Sequence, residues 1–206
     1  MQLSKLNVPS PKRLPPSTQG RSTWPLLLGW VAIAAILRFT NLAAKPPWTD
    51  EFATLVFSLG NGYQSVPVDE AISVGTLLQP LQTDLGGGFA DVLSHLMRED
   101  NHPPLYFFLA HGWMKLWPMG QYVSVWVARA LPALLGVLSV PAMYLLAQVA
   151  FGSAAIAHTI AALTAVSPYG VYLAQEARHY TLSILFVIAS LTCFAGAMRH
   201  FWRGTA

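Results

Sequence analysis

Residues 130–151 read ALPALLGVLSVPAMYLLAQVAF, and after Gly152 residues 153–174 continue as SAAIAHTIAALTAVSPYGVYLA. Neither stretch holds Asp, Glu, Lys or Arg, and only His158 interrupts the second. A bilayer core about 30 Å thick takes roughly 20 apolar residues of helix, so each stretch suits a spanning helix. Residues 181–198, TLSILFVIASLTCFAGAM, form a third such run. The earliest run is 24–44, WPLLLGWVAIAAILRFTNLAA; its uncharged part ends at Leu37. Arg38 then lies about one turn from the exit, where its long stem can snorkel to the interface. A cleaved signal peptide ending at Ala44 is the competing reading of this run. The long region before it, and the Arg38, Asn41 and Leu42 that precede the cleavage position, argue against that.

Working outward, the composition agrees. Of 206 residues, 54% are hydrophobic and 10% charged, against a usual charged share of about 25%. This excludes a disordered chain, a collagen-like repeat and an ordinary cytosolic enzyme. All the acids fall between Asp50 and Glu176, and every charge outside that interval is positive. The net charge of +3 therefore describes basic flanks around a membrane body with an acidic middle, not a nucleic-acid binder. Cys193, the single cysteine, sits in an apolar run and makes neither an internal disulfide nor a zinc site.

The fold class expected is an all-α integral membrane protein with four transmembrane helices: 24–44, 130–151, 153–174 and 181–198. Residues 1–22, with Lys5, Lys12, Arg13 and Arg21 among Pro, Ser and Gln, read as a flexible cytoplasmic tail. Residues 23–206 then form one membrane domain. Arg199 and Arg203 put the other terminus in the cytoplasm as well, which leaves 45–129 and a short loop at 175–180 outside. Localisation in a bacterial inner or plasma membrane follows as the expectation. In the long outer loop, residues 87–100 read GGFADVLSHLMRED. Phe89, Val92, Leu93, Leu96 and Met97 recur there at helical spacing opposite Asp91, His95 and Arg98, an amphipathic helix behind a Gly86-Gly87-Gly88 breaker. Residues 105–118, LYFFLAHGWMKLWP, carry His111, Lys115, Trp113 and Trp117 and read as a helix lying at the membrane surface. A short fifth span there is the alternative, and it would move 175–180 to the cytoplasmic side.

Three short segments concentrate the polar chemistry. Trp48-Thr49-Asp50-Glu51 follows the first span. Adjacent carboxylates at the edge of a low-dielectric region repel one another, a setting that suits one of them to act as a base. The plainer reading is a helix start, with Thr49 or Asp50 as cap. Asn101-His102-Pro103-Pro104-Leu105-Tyr106 comes next, its prolines holding His102 in a fixed direction. There His102 ligates a metal, donates to a phosphate or merely caps the helix. Gln175-Glu176-Ala177-Arg178-His179-Tyr180 is a polar hexapeptide between two spans, where charge is costly unless paired or used. An ion pair inside that loop is its plain alternative. Arg129 has a planar fork that suits a phosphate, or simply anchors a helix end.

Taken together and in order, these segments resemble one family. An aromatic-x-Asp-Glu after span one, His102-Pro103-Pro104-Leu105-Tyr106, Arg129-Ala130-Leu131-Pro132-Ala133 and Gln175-Glu176-Ala177-Arg178-His179-Tyr180 behind Ser167-Pro168 are similar to the N-terminal half of the GT-C membrane glycosyltransferases. The branch is that of the protein O-mannosyltransferases and aminoarabinose transferases. The resemblance runs from about Leu37 to Tyr180. It implies transfer of a sugar from a polyprenyl-phosphate donor to a protein, lipid or glycan acceptor on the outer face. It also implies Asp50 as general base and Glu51 as second acid, orienting the acceptor or binding a metal. His102, Arg129, Arg178, Glu176 and Tyr180 would lie around the lipid phosphate. Tyr180 departs from the pattern, since some relatives have Asp there. No cofactor is certain; a divalent metal held by Asp50, Glu51 and His102 stays open. Members are generally much longer, so the resemblance implies a partial form that needs a C-terminal half or partner subunit. Two other functions stay open: a catalytically inactive membrane subunit, and a small transporter resting on His158 and residues 136–141.

Overall fold

The computed structural model describes residues 24–63, 66–83 and 87–204, the last three without side chains. The tail 1–22, Gly86 and the side chain of Arg203 lie outside the described residues. Its longest element is α6 (Val125–Phe151), started by Ser124, whose hydroxyl accepts from Val127 N–H, and ended by Gly152 at φ 68°. At about 1.5 Å per residue it is long enough for a bilayer core. Around it pack α1 (Trp24–Phe39), α7 (Ala154–Val166), α8 (Pro168–Ala174) and α9 (Tyr180–Gly204). Lipid tails are as apolar as leucine, so helices in a bilayer associate through close approach of small residues. The buried positions here follow that rule: Ala157, Ala161 and Ala165 form one stripe on α7, and Ala161 and Ala165 pack with Ala34 and Leu27 of α1 and Val140 of α6.

Among the described residues the chain is helical, with one isolated bridge, Gln82 to Tyr122, and no strand. Two helices, α6 and α9, are long and apolar enough to cross a membrane. The run 153–174 is not one straight helix: it breaks between α7 and α8 with a 56° bend. Pro168 has no N–H to continue the ladder and drives Ser167 out of helical conformation, to ψ 116°. Ser167 then caps α8 through a bond from Gly170 N–H. The first run gives a helix of only 16 residues, α1, about 24 Å long.

Arg38 corrects the expectation for that first run. It does not snorkel; it is 1% exposed and turned into the bundle. Its guanidinium donates to the carbonyls of Ala165 (2.9 Å), Thr164 (3.1 Å) and Ala34 (3.4 Å). Two of these belong to the last turn of α7, whose carbonyls lack helical donors beyond the break. In return Gln175, just past α8, donates to the carbonyls of Leu37, Arg38 and Thr40 at the end of α1. Arg38 thus caps the end of α7, and Gln175 the end of α1. Gly136 makes room, since a Cβ there would come 2.7 Å from Ala174 Cβ and 3.0 Å from Arg38 Nε.

A second layer covers the end of the bundle where α1 stops and α6 starts. It contains α2 (Thr49–Ser58), α3 (Val74–Leu78), a 3-10 turn (Gln79–Leu81), α4 (Phe89–Glu99) and α5 (Leu105–Lys115). Its core is Val56, Phe57, Val92, Leu96 and Phe107. The amphipathic helix expected over 87–100 is α4, but only Val92 and Leu96 are buried; Phe89, Leu93 and Met97 face outward. Helix α5 has both ends at this end of the bundle. His102, just before it, meets Arg178, and Trp113 near its close donates to Val127 O at the start of α6 (2.8 Å).

Candidate functional site

The chain turns at Asn41, φ 55°, and runs through Pro46 and Pro47 into α2. The cap of α2 is Trp48, with no side-chain bond; Thr49, Asp50 and Glu51 lie in its first turn, so neither Thr49 nor Asp50 caps it. Being adjacent on a helix, Asp50 and Glu51 point in different directions. Glu51 is fully buried and takes Arg129 in a two-pronged pair, Oε1 to Nε 2.7 Å and Oε2 to Nη2 2.7 Å. Oε1 also accepts from Ala177 N–H at 2.7 Å. Arg129 spends its remaining donors on the carbonyls of Leu42 and Lys45, both at 2.9 Å, and of Pro46 at 3.5 Å. One ion pair thus ties the end of α1, α2, α6 and the 175–180 loop into a single unit. Charge-assisted forked bonds of this kind are among the strongest available to side chains.

Asp50 faces the other way. Its side chain is 50% exposed and opens on a cavity of ≈ 490 Å³. Phe52, Ala53, Tyr63, Glu99, His102 and Arg178 are among its walls. Arg178 is anchored by two bonds from Nη1, to Asp50 O (2.9 Å) and Thr54 Oγ1 (3.0 Å). That leaves Nη2 between Asp50 Oδ2 at 3.5 Å and His102 Nε2 at 3.3 Å. The guanidinium also lies 6.0 Å from the Trp48 ring and 5.7 Å from the Tyr180 ring. A size of a few hundred Å³, mostly apolar walls and a few convergent polar groups are what small-molecule sites usually show.

Behind His102 stands Asp100, with Oδ1 2.6 Å from His102 Nδ1. Burial acts to raise the Asp100 carboxyl. The His102 hydrogen bond, the Asn101 N–H and the charges of His102 and Arg178 outweigh it and hold the group below its usual range. His179, whose ring is 5.7 Å from that of His102, is pushed down by burial and by Arg178 and His102. Tyr106 is buried with its hydroxyl unpartnered, and burial and the Glu51 charge push it up.

Asp50, His102 and Arg178 are therefore brought together at one cavity, while Glu51 and Arg129 form the buried pair beside it. Tyr180 stacks near Arg178, and Glu176 faces away into a smaller space of ≈ 250 Å³ with Lys45, Trp48 and Arg129. Arg178 pairs with Asp50 rather than with Glu176 inside the loop. Asp50, Glu51 and His102 do not fit a divalent cation: Glu51 is consumed by Arg129 and Ala177, and a guanidinium stands between the other two. Among the described residues no three His, Cys, Asp or Glu side chains gather to hold a metal. Reading the sequence missed Asp100 and Thr54. Both carried a signal, Asp100 by its i, i+2 spacing to His102 in an extended segment and Thr54 by its i, i+4 spacing to Asp50 on a helix. No family model, curated protein or solved structure matches the chain.

Proposed function

We propose that the chain is part of a GT-C-like glycosyltransferase, moving a sugar from a polyprenyl-phosphate donor to an acceptor hydroxyl outside the membrane. One observation carries this: a half-exposed carboxylate, Asp50, shares a cavity with an anchored guanidinium, Arg178, at the end of an apolar helix bundle. An interfacial headgroup needs a base and a cation on the same membrane face. In the reaction Asp50 takes the proton of the acceptor hydroxyl as its oxygen attacks the anomeric carbon. The bond from that carbon to the phosphate oxygen breaks on the opposite side, with inversion. The leaving phosphate keeps the electron pair and is stabilised by Arg178. Glu51 and Arg129 act indirectly by fixing α2 and the 175–180 loop.

The spans are α1, α6, the bent pair α7–α8, and α9, with both termini cytoplasmic. Helix α5 supports this count. Its 11 residues reach only about 16 Å, and both its ends sit on the Arg178 side, so two crossings separate His102 from Arg178. A second reading, a membrane subunit that completes a larger partner, draws on α9, of which only 11% is buried over its apolar window.

Incorporation of labelled sugar from a polyprenyl-phosphate donor tests the first reading, in membranes expressing the chain alone or with a C-terminal half. Asp50→Asn is expected to lower transfer about 10²–10⁴-fold; transfer at the parental rate would remove Asp50 as the base. Transfer that appears only with the added half, and still depends on Asp50, favours the partial-enzyme form. A single cysteine at exposed Leu116, with Cys193 replaced, should react with an impermeant reagent from outside. Reaction from the cytoplasmic side alone would overturn the topology.

A further inference from the structure

The hydrogen bonds around His102 fit a particular proton arrangement. A guanidinium only donates, so the 3.3 Å contact from Arg178 Nη2 makes His102 Nε2 an acceptor. The ring proton then sits on Nδ1 and is donated to Asp100 Oδ1 at 2.6 Å. In this arrangement His102 offers a lone pair, not a proton, towards the cavity.

That arrangement is unsuited to an anion. The charged groups facing His102 are Asp100 from its own segment, Arg178 and, through Arg178, Asp50; His179 faces it across 5.7 Å and Glu99 shares the cavity wall. Glu99 is occupied by His95 and the Tyr63 N–H. The lining holds three carboxylates against one guanidinium. The other cation expected at the site, Arg129, is committed to Glu51 and to carbonyls and does not line the cavity. An anion entering here meets a surplus of negative charge, and His102, in contact with Arg178, can correct it by gaining a proton while Asp50 stays available as a base.

We propose that an anionic phosphate enters between Arg178 Nη2 and His102 Nε2 with uptake of one proton by His102, and that Asp100 is the residue positioning His102 for this. The inference rests on reading the cavity as a lipid-phosphate site. The phosphate oxygen takes the place of the direct Arg178–His102 contact. Nε2 gains a proton from solvent and donates it to that oxygen; Nδ1–H stays on Asp100, so the imidazolium is held between two anionic oxygens. Apart from this proton transfer, which forms an N–H bond and breaks an O–H bond of solvent, no bond changes. Without Asp100 the ring is free to turn and to hold its proton on either nitrogen.

The test is titration calorimetry of the full chain at pH 7.5 in two buffers of different ionisation enthalpy. The probe is the methyl phosphodiester of a short isoprenol, which has no proton of its own titrating near neutrality. Wild type is expected to take up close to one proton per probe bound, with affinity falling about tenfold per pH unit above the histidine range. His102→Gln keeps a polar side chain and should bind more weakly with no uptake and no such slope. Asp100→Asn should shift the slope to lower pH, and Asp100→Glu should restore it, which loss of packing alone would not do. Binding by wild type without proton uptake, or uptake that persists in His102→Gln, overturns the inference and leaves the lipid-phosphate reading standing. No binding by the folded protein overturns both.

Discussion

Arg38 and Arg129 are both nearly fully buried, and the protein accommodates them in opposite ways. At the start of α6 Arg129 meets a carboxylate of the second layer, Glu51, with two short parallel bonds. In the helix bundle Arg38 meets only carbonyls, those left open where Pro168 breaks α7 from α8. The helix end carries partial negative charge, so it suits a cation without being an ion partner. The difference separates the two regions by task. The carboxylate–guanidinium pair fixes the layer that holds Asp50 and Arg178; the carbonyl contacts fix a bend inside the apolar bundle.

The largest effect should come from splitting the outer pair. Glu51→Ala leaves Arg129 buried without its counter-ion, a change that typically costs about 3–5 kcal/mol. The melting temperature in detergent should fall sharply, and adding Arg129→Met should recover part of the loss. A double variant destabilised by the sum of the two single variants would show that the two residues are not coupled. Arg38→Met should cost less, about 1–3 kcal/mol, because it leaves two carbonyls unsatisfied but strands no charge. If Arg38→Met proved as costly as Glu51→Ala, the distinction between the two arginines would fail.

Gly136→Ala probes the same bend from the opposite side. Its Cβ would meet Ala174 at 2.7 Å and Arg38 Nε at 3.0 Å, overpacking that usually costs about 1–3 kcal/mol. Thermal unfolding alongside Gly196→Ala checks it, since a Cβ at Gly196 finds only ordinary contact at 3.9 Å.

Acid should act on the second layer and the 175–180 loop beside it. His111 is pushed down by burial, only partly offset by its Ser58 carbonyl bond, and His179 by burial and Arg178. With folded values below the usual histidine value of about 6.5, the unfolded chain takes up protons first as pH falls. Their stabilisation is therefore present above that pH and lost below it. Melting temperature measured from pH 8 to 5 should decline, and His111→Gln should flatten the decline. Smallest of all, Met97→Ser on the outward face of α4, where Met97 is 78% exposed, should move stability by under about 0.5 kcal/mol.

Much of the bundle was legible because hydrophobic length is a local property. The runs containing α6 and α9 could be read directly, and the run 105–118 yielded a short helix, α5, of 11 residues. The break at Ser167-Pro168 was written in the sequence too, but the apolar composition around it argued for one helix, and a proline's effect on the ladder overrode composition. Arg38 was misread for a different reason. Its distance from the helix end permits snorkelling, and only the presence of open carbonyls on another helix makes the inward rotamer better.

The site divides in the same manner. That Asp50, His102 and Arg178 lie outside the apolar runs follows from the order of residues, since charges are excluded from a bilayer core. Which acid is exposed and which is buried does not follow from it. Asp50 and Glu51 are neighbours with nearly the same chemistry. Arg129 and Ala177, distant in sequence, capture the one whose helical position faces them. The sequence by itself determined an all-helical, membrane-type chain and the short polar segments between its apolar helices. The tertiary structure decided which arginine serves a carboxylate, which a helix end and which a cavity, because each choice depends on donors and acceptors brought together from far along the chain.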